Sequence, residues 1–257
     1  MRITTILLFI FCITCCFGQT EKLALIKDPD GFTNVREGKS NSAKIAGKIY
    51  EREFFFAEIS GEQWVKVRME SPDNFKGSVY MHKSRILFID ELPLKEQKKV
   101  FREVFTEIKN ERSVSNQLYE KYDHKTKKWN TKADSVKYYN YCETRKEPQP
   151  MLVYYYILEL FSSYYSKTGD KALYRLFAET VYEDQGNAME AISWNVGKCF
   201  ISRPEQTLNM INSLPKELCE LIQQKTLTGV YFYLSPQTDK ETFFIYSWIE
   251  GFVYGDI

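Results

Sequence analysis

Trp64-Val65-Lys66-Val67-Arg68 is written with a period of two, so the two valines share one face of an extended chain and the other three residues share the opposite face. After a loop, Val79 and Met81 again face one way while Tyr80 and His82 face the other. Upstream, Leu23–Lys27, Thr33–Arg36, Lys44–Ile49 and Phe54–Ile59 are short apolar runs. They are punctuated by the turn stretches Asp28-Pro-Asp-Gly31, Glu37-Gly-Lys-Ser-Asn-Ser42 and Ser60-Gly-Glu62. Five or six short strands at this spacing predict a small β-barrel over residues 19–90.

After Pro93 the pattern becomes helical. Val100, Phe101, Val104, Phe105 and Ile108 form one apolar stripe. Helices are expected over 94–111, 132–144, 150–167, 170–184, 187–201, 204–212, 215–233 and 240–253. Capping boxes at Asn187–Glu190, Ser202–Glu205 and Thr238–Glu241 mark several starts. Met151–Tyr165 is apolar almost all round, but it is too short and too polar, with Glu159 at its centre, to span a bilayer. The fold class expected is therefore multi-domain α and β: a small barrel, then an all-α domain of antiparallel helices over 91–257. A repeat array stays open, but no period is strong enough to claim one.

The chain has 257 residues with 35 Lys+Arg against 34 Asp+Glu, a balance that disfavours a nucleic-acid partner. By segment the charge is less even: +4 over 91–150 and −5 over 151–257. The densest basic stretch, Lys121 to Lys132, places Lys125, Lys127 and Lys128 beside Trp129; a nucleic-acid or anionic-surface reading is available, and a solvated loop is the plainer one for so small a cluster.

Arg2 followed by an apolar run from Ile6 to Ile13 and by Gly18 has the form of a secretory signal over 1–18. Cleavage after Gly18 implies export, to the periplasm or the extracellular side, with no membrane span left. Acylation of Cys16 is the competing expectation, and it would leave the protein lipid-anchored. Cleavage leaves Cys142, Cys199 and Cys219, so at most one bridge can form; separation favours Cys199–Cys219, and three buried thiols are the alternative.

The series Asp28-Pro-Asp-Gly-Phe-Thr-Asn-Val-Arg36, Gly38, Lys44-Ile-Ala-Gly-Lys-Ile49, Trp64-Val-Lys-Val67, Gly77 with Val79 and Tyr80, and His82-Lys-Ser-Arg-Ile86 resembles the bacterial SH3 family. The resemblance covers roughly residues 22–88, about a quarter of the chain. It departs from the family pattern at Lys39, Glu53 and Val79. It implies an SH3-like barrel in an exported protein that recognises a cell-wall peptide or an envelope protein. With the valines and Met81 as core, Trp64, Tyr80 and His82, together with Phe32, are the candidate ligand groove. A tryptophan at this place equally suits an open end of the barrel.

Such barrels often accompany peptidoglycan hydrolases, but the Cys-His constellation of those enzymes is missing: Cys142 lacks the context, and His82 and His124 are the two histidines. Gly38-Lys39-Ser40 lacks the upstream glycine of a P-loop. Scattered Cys and His imply no metal site, and no cofactor is implied. Carboxylate pairs such as Glu217–Glu220 and Glu183–Asp184 read as charged helix surface. The expected function is thus non-catalytic binding. The alternative is an envelope hydrolase that uses a carboxylate of the helical part, for which Glu159 is the best candidate, since burial would raise its pKa.

Overall fold

The computed structural model describes residues 21–70, 75, 77–144, 151–183 and 189–234. The chain divides between Leu92 and Pro93 into two units. The expected signal segment with Cys16, the cap residue Asn187, the capping stretch Thr238–Glu241 and the helix over 240–253 lie outside the described residues.

The first unit is an antiparallel sheet of seven strands: β1 Glu21–Ile26, β2 Phe32–Arg36, β3 Ile45–Tyr50, β4 Phe55–Glu58, β5 Trp64–Arg68, β6 Val79–His82 and β7 Ile86–Phe88. Their order is β3-β2-β6-β5-β4-β1-β7. The ladder has two ends, β3 and β7, so a sheet rather than a closed barrel is what the pairing establishes. Ile49 of β3 and Ile86 of β7 nevertheless enter the same core, with Val35, Val65, Val67, Val79 and Met81. Alternation is the cause in β2, β5 and β6, which bury every second side chain, whereas β4 buries Phe55, Phe56 and Ala57 in succession. Full burial of such side chains contributes roughly 1.5–3 kcal/mol each.

Two local details hold the strand ends. Gly47 has no side chain where the Phe75 ring lies; a Cβ there would come within 2.6 Å of the ring. The β3–β4 turn sets Arg52 at φ 71°, and the Glu53 carboxylate accepts from the Tyr50 amide at 2.8 Å. The turn thus carries a left-handed arginine, and Glu53 after it ties the turn through its side chain.

The second unit contains, among the described residues, α1 Leu94–Tyr119, α2 Lys132–Thr144, α3 Met151–Thr168, α4 Lys171–Glu183, α5 Met189–Ser202, α6 Pro204–Ile211 and α7 Lys216–Leu234. A short hairpin, β8 Tyr122–Asp123 and β9 Lys128–Trp129, joins α1 to α2. Phe101 and Phe105 of α1 meet Phe161 of α3 and Phe177 of α4, with ring centroids 4.8 to 5.9 Å apart for the pairs that include Phe161. The main contacts join α1 to α4, α3 to α5 and α5 to α7, so helices adjacent in sequence are not the principal partners.

Three expectations change here. Helix α1 runs to Tyr119 rather than 111, because no Gly or Pro interrupts 112–119. Ser202 is not the cap of α6: Arg203 is, without a side-chain bond, while the Ser202 hydroxyl donates to the Cys199 carbonyl and closes α5. Pro204 does take the first helical position. Cys199 and Cys219 are not bridged: both are free thiols, Cys199 fully buried on α5 and Cys219 half-buried on α7.

Candidate functional site

The β5–β6 register fixes the outward face of the sheet. Trp64 stands opposite His82 and Lys66 opposite Tyr80, while on the far side Arg36 of β2 also stands opposite Tyr80. Opposed residues point the same way, so Trp64, Lys66, Tyr80, His82 and Arg36 share one surface. All are half-buried, whereas Val65, Val67, Val79 and Met81 beneath them are 3% exposed or less. The Trp64 and His82 rings meet edge to face, centroids 5.4 Å apart. The His82 ring is held from its other side: Nδ1 accepts the Ser84 amide at 3.4 Å and lies 2.8 Å from the Ser84 hydroxyl. The Lys39 ammonium lies 5.6 Å over the Tyr80 ring and pairs with Glu62, whose hydrogen bond raises its pKa. Lys66 pairs with Glu58 at 3.2 Å.

Trp64, Tyr80 and His82 are therefore brought together as a row. Phe32 is not in it. Its ring packs beside Tyr50, centroids 6.2 Å apart, under the Lys48 ammonium at 3.7 Å. The row offers two aromatic faces and flanking ammonium groups on a rigid sheet, an arrangement suited to an extended ligand with carboxylates. Residues 39 and 66, which complete it, escape a reading that searches for aromatics alone; strand alternation and the turn at Gly38 are the signals for them.

Glu159 is not enclosed. Its side chain is 45% exposed and pairs with Lys198 Nζ at 2.5 Å. The burial that would make it a general acid is absent. Lys198 also borders an open cleft of about 260 Å³ with Ser162, Ser163, Ser166 and Ser202. Ser162 and Ser202 donate to carbonyls of their own helices, Glu159 and Cys199 respectively, so this cleft contains no bonded serine–lysine pair among its described residues. The Glu217–Glu220 pair is likewise divided: Glu217 accepts from the Tyr182 hydroxyl at 3.1 Å, and Glu220 faces Lys216 at 4.0 Å. Asp184 of the other pair lies outside the described residues. In the Gly38-Lys39-Ser40 turn, Ser40 binds the Ala43 amide and Lys39 is held by Glu62.

Among the described residues no group of three or more His, Cys, Asp or Glu is placed to hold a metal ion, and no helix is long and apolar enough to cross a membrane. Comparison of the chain with protein-family models, with curated proteins and with solved structures gives no match.

Proposed function

We propose that this chain is a non-catalytic, exported binding protein whose first unit is a barrel of bacterial SH3 type. Its Trp64–His82–Tyr80 row recognises an extended peptide of the cell wall or of an envelope protein. The observation that carries the reading is the row itself: half-exposed rings held over a fully buried core by a fixed register. Bound peptide would lie across the Trp64 and Tyr80 rings, and its carboxylates would compete with Glu58 and Glu62 for Lys66 and Lys39. Exposed pairs of this kind are worth at most about 1 kcal/mol, so such exchange is inexpensive. The helical unit supplies a second interaction surface.

The test is titration of purified full chain with soluble peptidoglycan fragments, and capture of envelope proteins, in parallel with Trp64→Ala. Binding that Trp64→Ala weakens by roughly thirty-fold, as expected for a central aromatic anchor, supports the proposal. Absence of binding to either material, or binding indifferent to Trp64→Ala, rejects it.

A further inference from the structure

From Lys109 to Glu143 no side chain is buried, although this stretch includes the second half of α1, the β8–β9 hairpin and most of α2. Rings take the place of a core. Trp129 meets Tyr122 at 5.3 Å, Tyr138 at 4.9 Å, Tyr139 at 6.0 Å and Tyr119 at 6.1 Å. Apolar surface remains uncovered around them: Tyr119 is 40% exposed, Val114 44%, Val136 47% and Tyr139 57%.

Six lysines stand between or beside these rings in the chain: Lys121, Lys125, Lys127, Lys128, Lys132 and Lys137. All six are exposed, and none makes an ion pair with a described residue. Elsewhere Lys22, Lys98, Lys109 and Lys198 each hold a carboxylate. Two nearby acids are used internally instead. Asp123 accepts from the Thr126 hydroxyl at 2.7 Å and the Lys125 amide at 2.9 Å, which lowers its pKa. Asp134 accepts from the Thr131 hydroxyl at 2.7 Å. Lys127 is held at φ 55°, where glycine would be cheaper by roughly 1 kcal/mol, so the turn keeps an ammonium group at a conformational cost.

We propose that this aromatic hairpin and the helix ends beside it dock on an anionic lipid bilayer, the lysines among the headgroups and the Tyr and Trp rings at the polar–apolar boundary. Six exposed lysines against the exposed carboxylates of Glu120 and Glu143 leave the surface cationic, which favours an anionic partner, and the chemistry of the site selects which. The rings are packed against one another, mostly tilted or edge to face, so they offer few free flat faces for stacking bases or sugars. The six exposed cations are lysines, point charges suited to a diffuse charged surface, while the arginine of the stretch, Arg112, is held by Glu111. Tyr, Trp and Lys together are the residues that favour a membrane interface. This surface belongs to the second unit and is independent of the Trp64 row.

The experiment is co-flotation of the full chain with vesicles of phosphatidylcholine alone or mixed with phosphatidylglycerol. Partition onto the mixed vesicles should be stronger and should fall with added salt. Replacement of Lys125, Lys127 and Lys128 by Gln should lower it about a hundred-fold, at about five-fold per lysine. Lys127→Gly should lower it about five-fold while leaving the melting temperature unchanged or raised, a combination that a purely structural role would not produce. Trp64→Ala should leave it unchanged. Any contribution of the apolar run Ile6 to Ile13 is common to both vesicle types. Equal partition onto both types, a triple variant that binds like the parent, or tighter binding to heparin than to anionic vesicles would overturn the proposal.

Discussion

Asp170 begins α4, where its Oδ1 accepts the Leu173 amide at 3.1 Å. Its Oδ2 receives Lys98 Nζ at 2.5 Å and the Tyr164 hydroxyl at 3.2 Å. Burial pushes this carboxyl up, but the Lys98 and Leu173 hydrogen bonds, with the Lys98 charge, outweigh it and hold the pKa below its ordinary 3.8. The sign follows: the contribution to stability is fully present above the unfolded value and is lost as pH falls through the folded one. Thermal melts should therefore show the helical unit weakening below about pH 4. Asp170→Asn keeps a cap and should reduce that acid limb, leaving the part carried by Glu179, whose carboxyl burial pushes up but Lys109 and Arg175 hold down. Asp170→Ala, by contrast, should cost about 1 kcal/mol more through the lost cap. This residue is poorly legible in the sequence. A search for capping boxes looks for Glu or Gln three residues on, and Leu173 stands there. Thr131 and Asp134, which do form a reciprocal pair, escape for the same reason, since the acid is Asp. Trp64 and His82, by contrast, were legible because a period of two leaves no choice about which residues share a face.

At the scale of elements, the α5–α7 crossing depends on two glycines. A Cβ on Gly229 would lie 1.8 Å from the Ser193 carbonyl oxygen, and one on Gly197 would lie 2.5 Å from the Gly229 carbonyl carbon. Both obstacles are backbone, so neither can move aside without separating the helices. Gly229→Ala should destabilise the helical unit by about 3 kcal/mol, the upper end of ordinary overpacking, measured by chemical denaturation followed at a helical wavelength. In sequence these glycines look like weak points of otherwise good helices, because close approach is a property of two segments at once. The β8–β9 hairpin was hidden for another reason: strands of two residues are too short to alternate, and its lysines read as solvated loop. The long helices were legible, being strongly periodic, although their ends and partners were not.

At the scale of the molecule, the chain divides into two units between Leu92 and Pro93, two residues beyond the expected 90/91 boundary. Gly229 lies in the second of the two units, so Gly229→Ala should lower the transition that reports this unit. How far the sheet closes, and what its outer face meets, could not be read from alternation, which assigns faces but neither closure nor ligands. The buried thiol of α5 has a use at this same scale. Cys199 is wholly enclosed, and burial raises its pKa far above that of a free thiol, while Cys142 and Cys219 are half-buried. A thiol reagent can therefore reach Cys199 only when the helical unit opens. Under conditions where reclosing outruns modification, its labelling rate counts the open population. Gly229→Ala should then speed that labelling by about a hundred-fold, as the loss of about 3 kcal/mol requires, with Cys142 little changed. Cys199 is in effect a clock for global opening carried by the chain itself.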